Sequence, residues 1–93
     1  MAILIPAAGE TREVQPADGV TFTIHELQGF VGGYIEAVRV GDDYLFLNEE
    51  GKLKQLPVNR AATVLTLGLI AADDYIVGDC VLCSPLEAGE GDP

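Results

Sequence analysis

The sequence predicts an α+β fold: one small domain in the order β-β-α-β-β-α-β, with a mainly antiparallel sheet and two helices on one face. Three observations carry that prediction. Thr23-Ile24-His25-Glu26 has the spacing of a helix-opening capping box ahead of an amphipathic stretch. Two runs rich in β-branched and aromatic residues flank Gly41-Asp42-Asp43, as a hairpin requires. Pro57 and Asn59 then mark the entry to a second apolar helical stretch.

The elements follow in order. Ile3, Leu4 and Ile5 are apolar and branched, residues 7–9 supply a turn, and residues 11–15 alternate into a second strand that Pro16 ends. Asp18-Gly19 turns the chain toward the capping box, where Thr and Glu side chains satisfy backbone N–H groups reciprocally. Ile24, Leu27, Phe30 and Val31 recur at helical intervals and face the sheet. Gly32-Gly33 stops this helix, one glycine being suited to the left-handed C-terminal position. Residues 34–40 and 44–47 form the second hairpin, followed by an Asn48-Glu49-Glu50-Gly51 turn.

Residues 52–56 read equally as a short extended return or a loop. Pro57 bars a continuing central strand, and Asn59 caps a second helix over residues 60–69, with Ala61, Ala62, Leu65 and Leu69 inward. Asp73-Asp74 breaks the pattern, and residues 75–83 form the last strand. Residues 1–85 make the single domain, and residues 86–93 an acidic, disordered tail. The apolar runs at 3–5 and 44–47 leave a dimer through an apolar outer sheet face as open as a polar outer face.

Composition bounds the function. The chain has 93 residues, 48% of them apolar and 22% charged, which suits one core and lies outside the disordered range. Its formal net charge of −10 opposes nucleic-acid and membrane partners, whose phosphates need Lys and Arg. Residues 1–6 have no basic region and Pro6 breaks their apolar run, so no secretory signal is read. Residues 61–72 are too short to span a membrane, which takes about 20 residues. A cytoplasmic location is expected, and two cysteines make no disulfide scaffold.

Few motifs carry chemistry. Cys80 and Cys83 have the spacing of zinc or dithiol pairs, but in a strand they point to opposite faces and read as packed thiols. His25 lies in the first turn of a helix, with no nucleophile signature beside it, and reads as a surface residue. Asp42-Asp43, Glu49-Glu50 and Asp73-Asp74 sit in turns without calcium-loop spacing. No catalytic residue, metal site or cofactor is therefore expected. Against this acidic background, Arg39, Lys52, Lys54 and Arg60 gather in the middle third. With free N–H groups at the start of the second helix they would make a small anion-binding site; charge balance for nearby carboxylates is the plainer reading.

Residues 28–36, Gln-Gly-Phe-Val-Gly-Gly-Tyr-Ile-Glu, and residues 48–63, Asn-Glu-Glu-Gly-Lys-Leu-Lys-Gln-Leu-Pro-Val-Asn-Arg-Ala-Ala-Thr, together with Ile76-Val77-Gly78-Asp79, resemble the family catalogued as domain of unknown function 3846. The likeness covers most of residues 3–82. It implies an origin in bacteriophages and mobile elements, and no established enzymatic activity. The matching polar positions are Glu36, Asn48, Glu49, Asn59 and Thr63; Asn48 also serves as a turn former, Asn59 as a helix cap and Thr63 as a helix hydroxyl. The ligand-binding set is thus Arg39, Asn48, Glu49, Lys52, Lys54, Asn59, Arg60 and Thr63. The expected function is a non-enzymatic phage-type binding protein that counters host defence by sequestering a small nucleotide-type signal in an oligomer pocket. The alternative is an acidic inhibitor that imitates DNA to occupy a host defence enzyme.

Overall fold

The computed structural model describes residues 2–89. Its strands are β1 (Ala2–Ile5), β2 (Arg12–Val14), β3 (Ile35–Val40), β4 (Asp43–Asn48) and β5 (Cys80–Cys83); its helices are α1 (Ile24–Val31), α2 (Arg60–Leu65) and α3 (Pro85–Ala88). The strands form one sheet in the order β2-β1-β5-β4-β3, with every neighbouring pair antiparallel. The α+β class and the antiparallel sheet are as the sequence predicts. β5 enters between β1 and β4, with Leu82 opposite both Ile3 and Leu45.

Alternation along the central strands builds two apolar layers. Ala2, Leu4, Phe46, Val81 and Cys83 pack with Phe22 and Leu27 on one face. Ile5, Leu45, Leu47 and Cys80 pack with Ala62 and Ile76 on the other. Leu45 and Val81 are fully buried, and side chains of this kind each contribute about 1.5–3 kcal/mol on leaving water. The helices therefore lie on opposite faces, α1 on the first and α2 on the second, rather than together on one. The reason is the continuous apolar character of β1, β4 and β5, which demands cover on both sides.

Local chemistry sets the helix ends. The Thr23 hydroxyl accepts from the Glu26 N–H at 3.1 Å, and the Glu26 carboxylate accepts from the Thr23 N–H at 2.8 Å and the Ala17 N–H at 2.9 Å. Gly32, at φ 82°, closes α1 through its N–H to the Gln28 carbonyl. α2 is shorter than residues 60–69, because the buried Thr66 ends it and its hydroxyl turns back to the Ala62 and Thr63 carbonyls. The chain then turns through Gly68 at φ 83°.

Two further expectations are corrected. β5 spans only residues 80–83, since Gly78 sits at φ 78° and the pairing of residues 75–79 is limited to an isolated Val58–Val77 bridge outside the strands. Residues 86–89 are not a disordered tail. Ser84 caps α3 by a second capping box with Glu87, and the helix docks by accepting the Phe22 N–H and the Thr21 hydroxyl at the Glu87 and Leu86 carbonyls, 2.8 and 2.9 Å. Residues 90–93, the rest of that expected tail, lie outside the described residues. No helix among the described residues is long and apolar enough to cross a membrane.

Candidate functional site

Because β4 and β5 are neighbours in the sheet, residues 49–79 leave it and return to it on the α2 face. Between this excursion and the strands lies a cleft of about 240 Å³. Val38 and Leu47 from the sheet and Ile70, Ile76 and Val77 from the excursion supply its apolar walls. Glu36, Glu49, Glu50, Lys52, Asp74 and Tyr75 supply the polar ones. Gly51 lets the wall close: a Cβ there would stand 2.7 Å from Val77 Cγ2.

The electrostatics favour groups that donate hydrogen bonds. Four carboxylates, Glu36, Glu49, Glu50 and Asp74, line the cleft against one ammonium, Lys52. Lys52 is committed to Asp74 by an ion pair and lies 4.5 Å from the centre of the Tyr75 ring. The hydrogen bond between them raises the Lys52 pKa and holds the Asp74 carboxyl below its usual range. Both groups are exposed, so the pairing orients side chains more than it stabilises the fold.

The predicted ligand set divides. Asn48, Glu49 and Lys52 line the cleft. Asn48 is also structural, its amide donating to the Val31 carbonyl at 3.1 Å and its oxygen accepting from the Glu50 N–H at 2.8 Å. Lys54 lies 3.8 Å from Glu50 and has its ammonium beside Gly33. Arg39 is on the other face of the hairpin, with its guanidinium 5.4 Å from the Tyr44 ring centre and its Nε donating to the Gly41 carbonyl at 3.1 Å.

Asn59 is wholly buried. Its oxygen accepts from the Ala62 N–H at 3.0 Å, and its amide donates to the Ile5 and Gly78 carbonyls at 2.9 and 2.8 Å. Thr63 donates to the Asn59 carbonyl at 2.8 Å and accepts from the Ile76 N–H at 2.9 Å. These two residues rivet α2 to β1 and to residues 76–78. Arg60 is exposed as the first residue of α2 and does not line the cleft. The expected convergence of Arg39, Lys52, Lys54 and Arg60 on one anion does not occur. Two are paired with carboxylates, one rests on an aromatic ring, and α2 has only six residues.

The residue-by-residue reading missed Leu47, Glu50, Ile70, Asp74 and Tyr75 as cleft walls. Asp73-Asp74 carried a turn signal only, and nothing local places that turn opposite Glu36. Cys80 and Cys83 are 0% and 1% exposed and sit in opposite apolar layers, with burial pushing each thiol up to about 12. Among the described residues no group of three or more His, Cys, Asp or Glu gathers as metal ligands do.

The family described as Domain of unknown function (DUF3846) matches residues 1–92. The chain belongs to that family. Its three quoted segments supply much of the cleft: Glu36, the stretch from Asn48 to Leu53, and Ile76 and Val77. Neither a curated protein nor a solved structure matches the chain.

Proposed function

We propose that this DUF3846 domain is a non-enzymatic binding protein that holds a small nucleotide-type molecule in the cleft between the β3–β4 hairpin and residues 70–77. The observation that carries this reading is the cleft itself: an apolar floor ringed by hydrogen-bond acceptors. Four carboxylates repel phosphate but accept well from the amino and imino groups of a nucleobase. The ligand accordingly enters base first, its flat face on Val38, Leu47 and Ile76, its N–H groups on Glu36 and Glu49, and its phosphates outside in solvent.

In a phage or mobile element, the setting that the family resemblance suggests, such a protein removes a nucleotide-type immune signal by stoichiometric capture. The DNA-mimic alternative draws less support, because many acids hold local structure. Asp18 accepts from the Val20 and Thr21 N–H groups, Glu26 caps α1, Asp79 accepts from the Ala7 N–H, and Asp74 and Glu50 pair with lysines.

Thermal unfolding in the presence of nucleosides, mononucleotides, cyclic nucleotides and ADP-ribose derivatives tests the reading. A ligand at about 100 times its Kd adds about 2.7 kcal/mol, which is about 10 °C or more for a chain of this size. Glu36→Gln and Tyr75→Ala lower that gain while leaving the unliganded transition in place. A flat response across the whole series, with native mass spectrometry of freshly purified protein finding no retained small molecule, would sink it.

A further inference from the structure

Gly29 has no explanation within the chain. Every other glycine among the described residues either stands at a positive φ or has a neighbour in the way of a Cβ; Gly29 has neither, and a Cβ there would meet no atom within 4 Å. It lies inside α1, where glycine is less favourable than alanine because it gives up more backbone freedom on folding. Gly29 lines a second cavity, of about 380 Å³, a size that suits a small molecule. Phe30, Val31, Leu56 and Pro57 give this cavity apolar walls, and among the described residues Asp79 is the one charged group that lines it. The cavity and the cleft beside the β3–β4 hairpin have no described residue in common.

We propose that this cavity binds a small organic amine, held as its ammonium cation by Asp79 and the carbonyl end of α1, with its apolar arm on Phe30, Val31, Leu56 and Pro57. The polar groups select that class. Asp79 keeps one carboxylate oxygen on the Ala7 N–H at 2.9 Å, and no Lys, Arg or His among the described residues pairs with it. α1 has no basic residue in its last turn, so nothing in the helix neutralises the negative end of its dipole. Lys54 stands beside Gly33, but it lies 3.8 Å from Glu50 and does not line the cavity. The Gly33 N–H, which would serve the Gly29 carbonyl in a continuing helix, donates to the Gln28 carbonyl instead, at 3.1 Å. Acceptors thus gather where an ammonium can donate up to three hydrogen bonds, and the net charge of −10 draws cations and repels anions. The bare backbone at Gly29 lets the arm of the amine come closer than an alanine would allow.

Amide NMR of the intact chain titrated with 2-phenylethylamine at about pH 7 and low salt tests this, with phenylacetate and 2-phenylethanol as anionic and neutral probes of similar shape. The amine gives saturable shifts at Gly29, Gly32, Gly78 and Asp79, with a Kd of about 10 mM or tighter for so small a probe. The other two probes bind at least about fivefold more weakly, because they lack the charge-assisted hydrogen bond. Asp79→Asn, which retains an oxygen for the Ala7 N–H, weakens the amine by at least about fivefold, whereas Asp42→Asn, in the turn between β3 and β4, leaves it unchanged. Gly29→Ala weakens the amine by at least about fivefold while raising the melting midpoint of the unliganded chain by about 2–8 °C, a pairing of signs that a structural role would not give. Absence of saturable shifts, equal binding of phenylacetate or 2-phenylethanol, shifts confined to the cleft beside the β3–β4 hairpin, or a Gly29→Ala chain that keeps its affinity overturns the proposal.

Discussion

Replacing Asn59 by alanine separates a structural role from a ligand-binding one. The side chain makes three short hydrogen bonds in a fully buried position, to the Ala62 N–H and to the Ile5 and Gly78 carbonyls. Loss of the helix cap costs about 1 kcal/mol. Each buried carbonyl deprived of this donor costs about 1–3 kcal/mol. The sum is about 3–7 kcal/mol, against a total stability of about 5–14 kcal/mol for a chain of this length. With a urea slope of about 1–1.5 kcal/mol per molar, the unfolding midpoint followed by circular dichroism falls by about 2 M or more. Asn59→Asp sharpens the test, because it keeps the capping oxygen but turns a second oxygen toward two carbonyls. That contact raises its folded pKa above the unfolded value, so the variant is weakest at neutral pH and recovers as the pH falls. An alanine variant whose stability stays within about 1 kcal/mol of the parent would refute the reasoning and return Asn59 to the ligand set.

Three further outcomes follow from particular contacts. Backbone N–H groups lower the pKa of Asp18 and Glu26, and Lys52 lowers that of Asp74. Their stabilisation is complete above the usual values of 3.8 and 4.5 and is lost as the pH falls through the lower folded ones, so urea midpoints measured down a pH series decline below about 4.5. Cys80 and Cys83, pushed up to about 12 by burial, resist iodoacetamide at pH 8 in the native chain and react in urea; prompt labelling of folded protein would contradict their placement. Gly78→Ala forces an alanine to φ 78° and brings its Cβ to 2.9 Å from Leu56 Cδ1, a destabilisation of about 1–3 kcal/mol by the same urea assay.

Much of this fold was legible because its signals are local. The Thr23–Glu26 box, the Gly32 stop, the β3–β4 hairpin and the Asn59 cap depend on residues within a few positions of one another, and each stands where the sequence puts it. The α3 turn was legible too and went unread: Ser84-Pro85-Leu86-Glu87 repeats the spacing of the first capping box, with proline in the first turn and Gly89 at the end. The placement of α2 on the second face depended on noticing that β1 and β5 are apolar without alternation. The cleft was the least legible, since it joins Glu36 to Asp74 across the fold. Asn48, Glu49 and Lys52 entered it through the family likeness and the basic cluster, whereas Asn59 and Thr63 combined polarity with burial for architectural reasons.

The detour of residues 49–79 between two paired strands has a dynamic consequence. Apart from apolar contact and the bonds at its Asn48 end, it is fastened to the sheet through Asn59, whose amide donates to the Ile5 carbonyl, whereas Thr63 and the Val58–Val77 bridge tie the segment to itself and β4 and β5 are joined directly. Such a segment can open without the strands separating, as a cooperative unit of its own. Breathing of this unit moves one wall of the cleft. Protection of its amides against deuterium, rather than any change in the strands, becomes the natural gauge of occupancy.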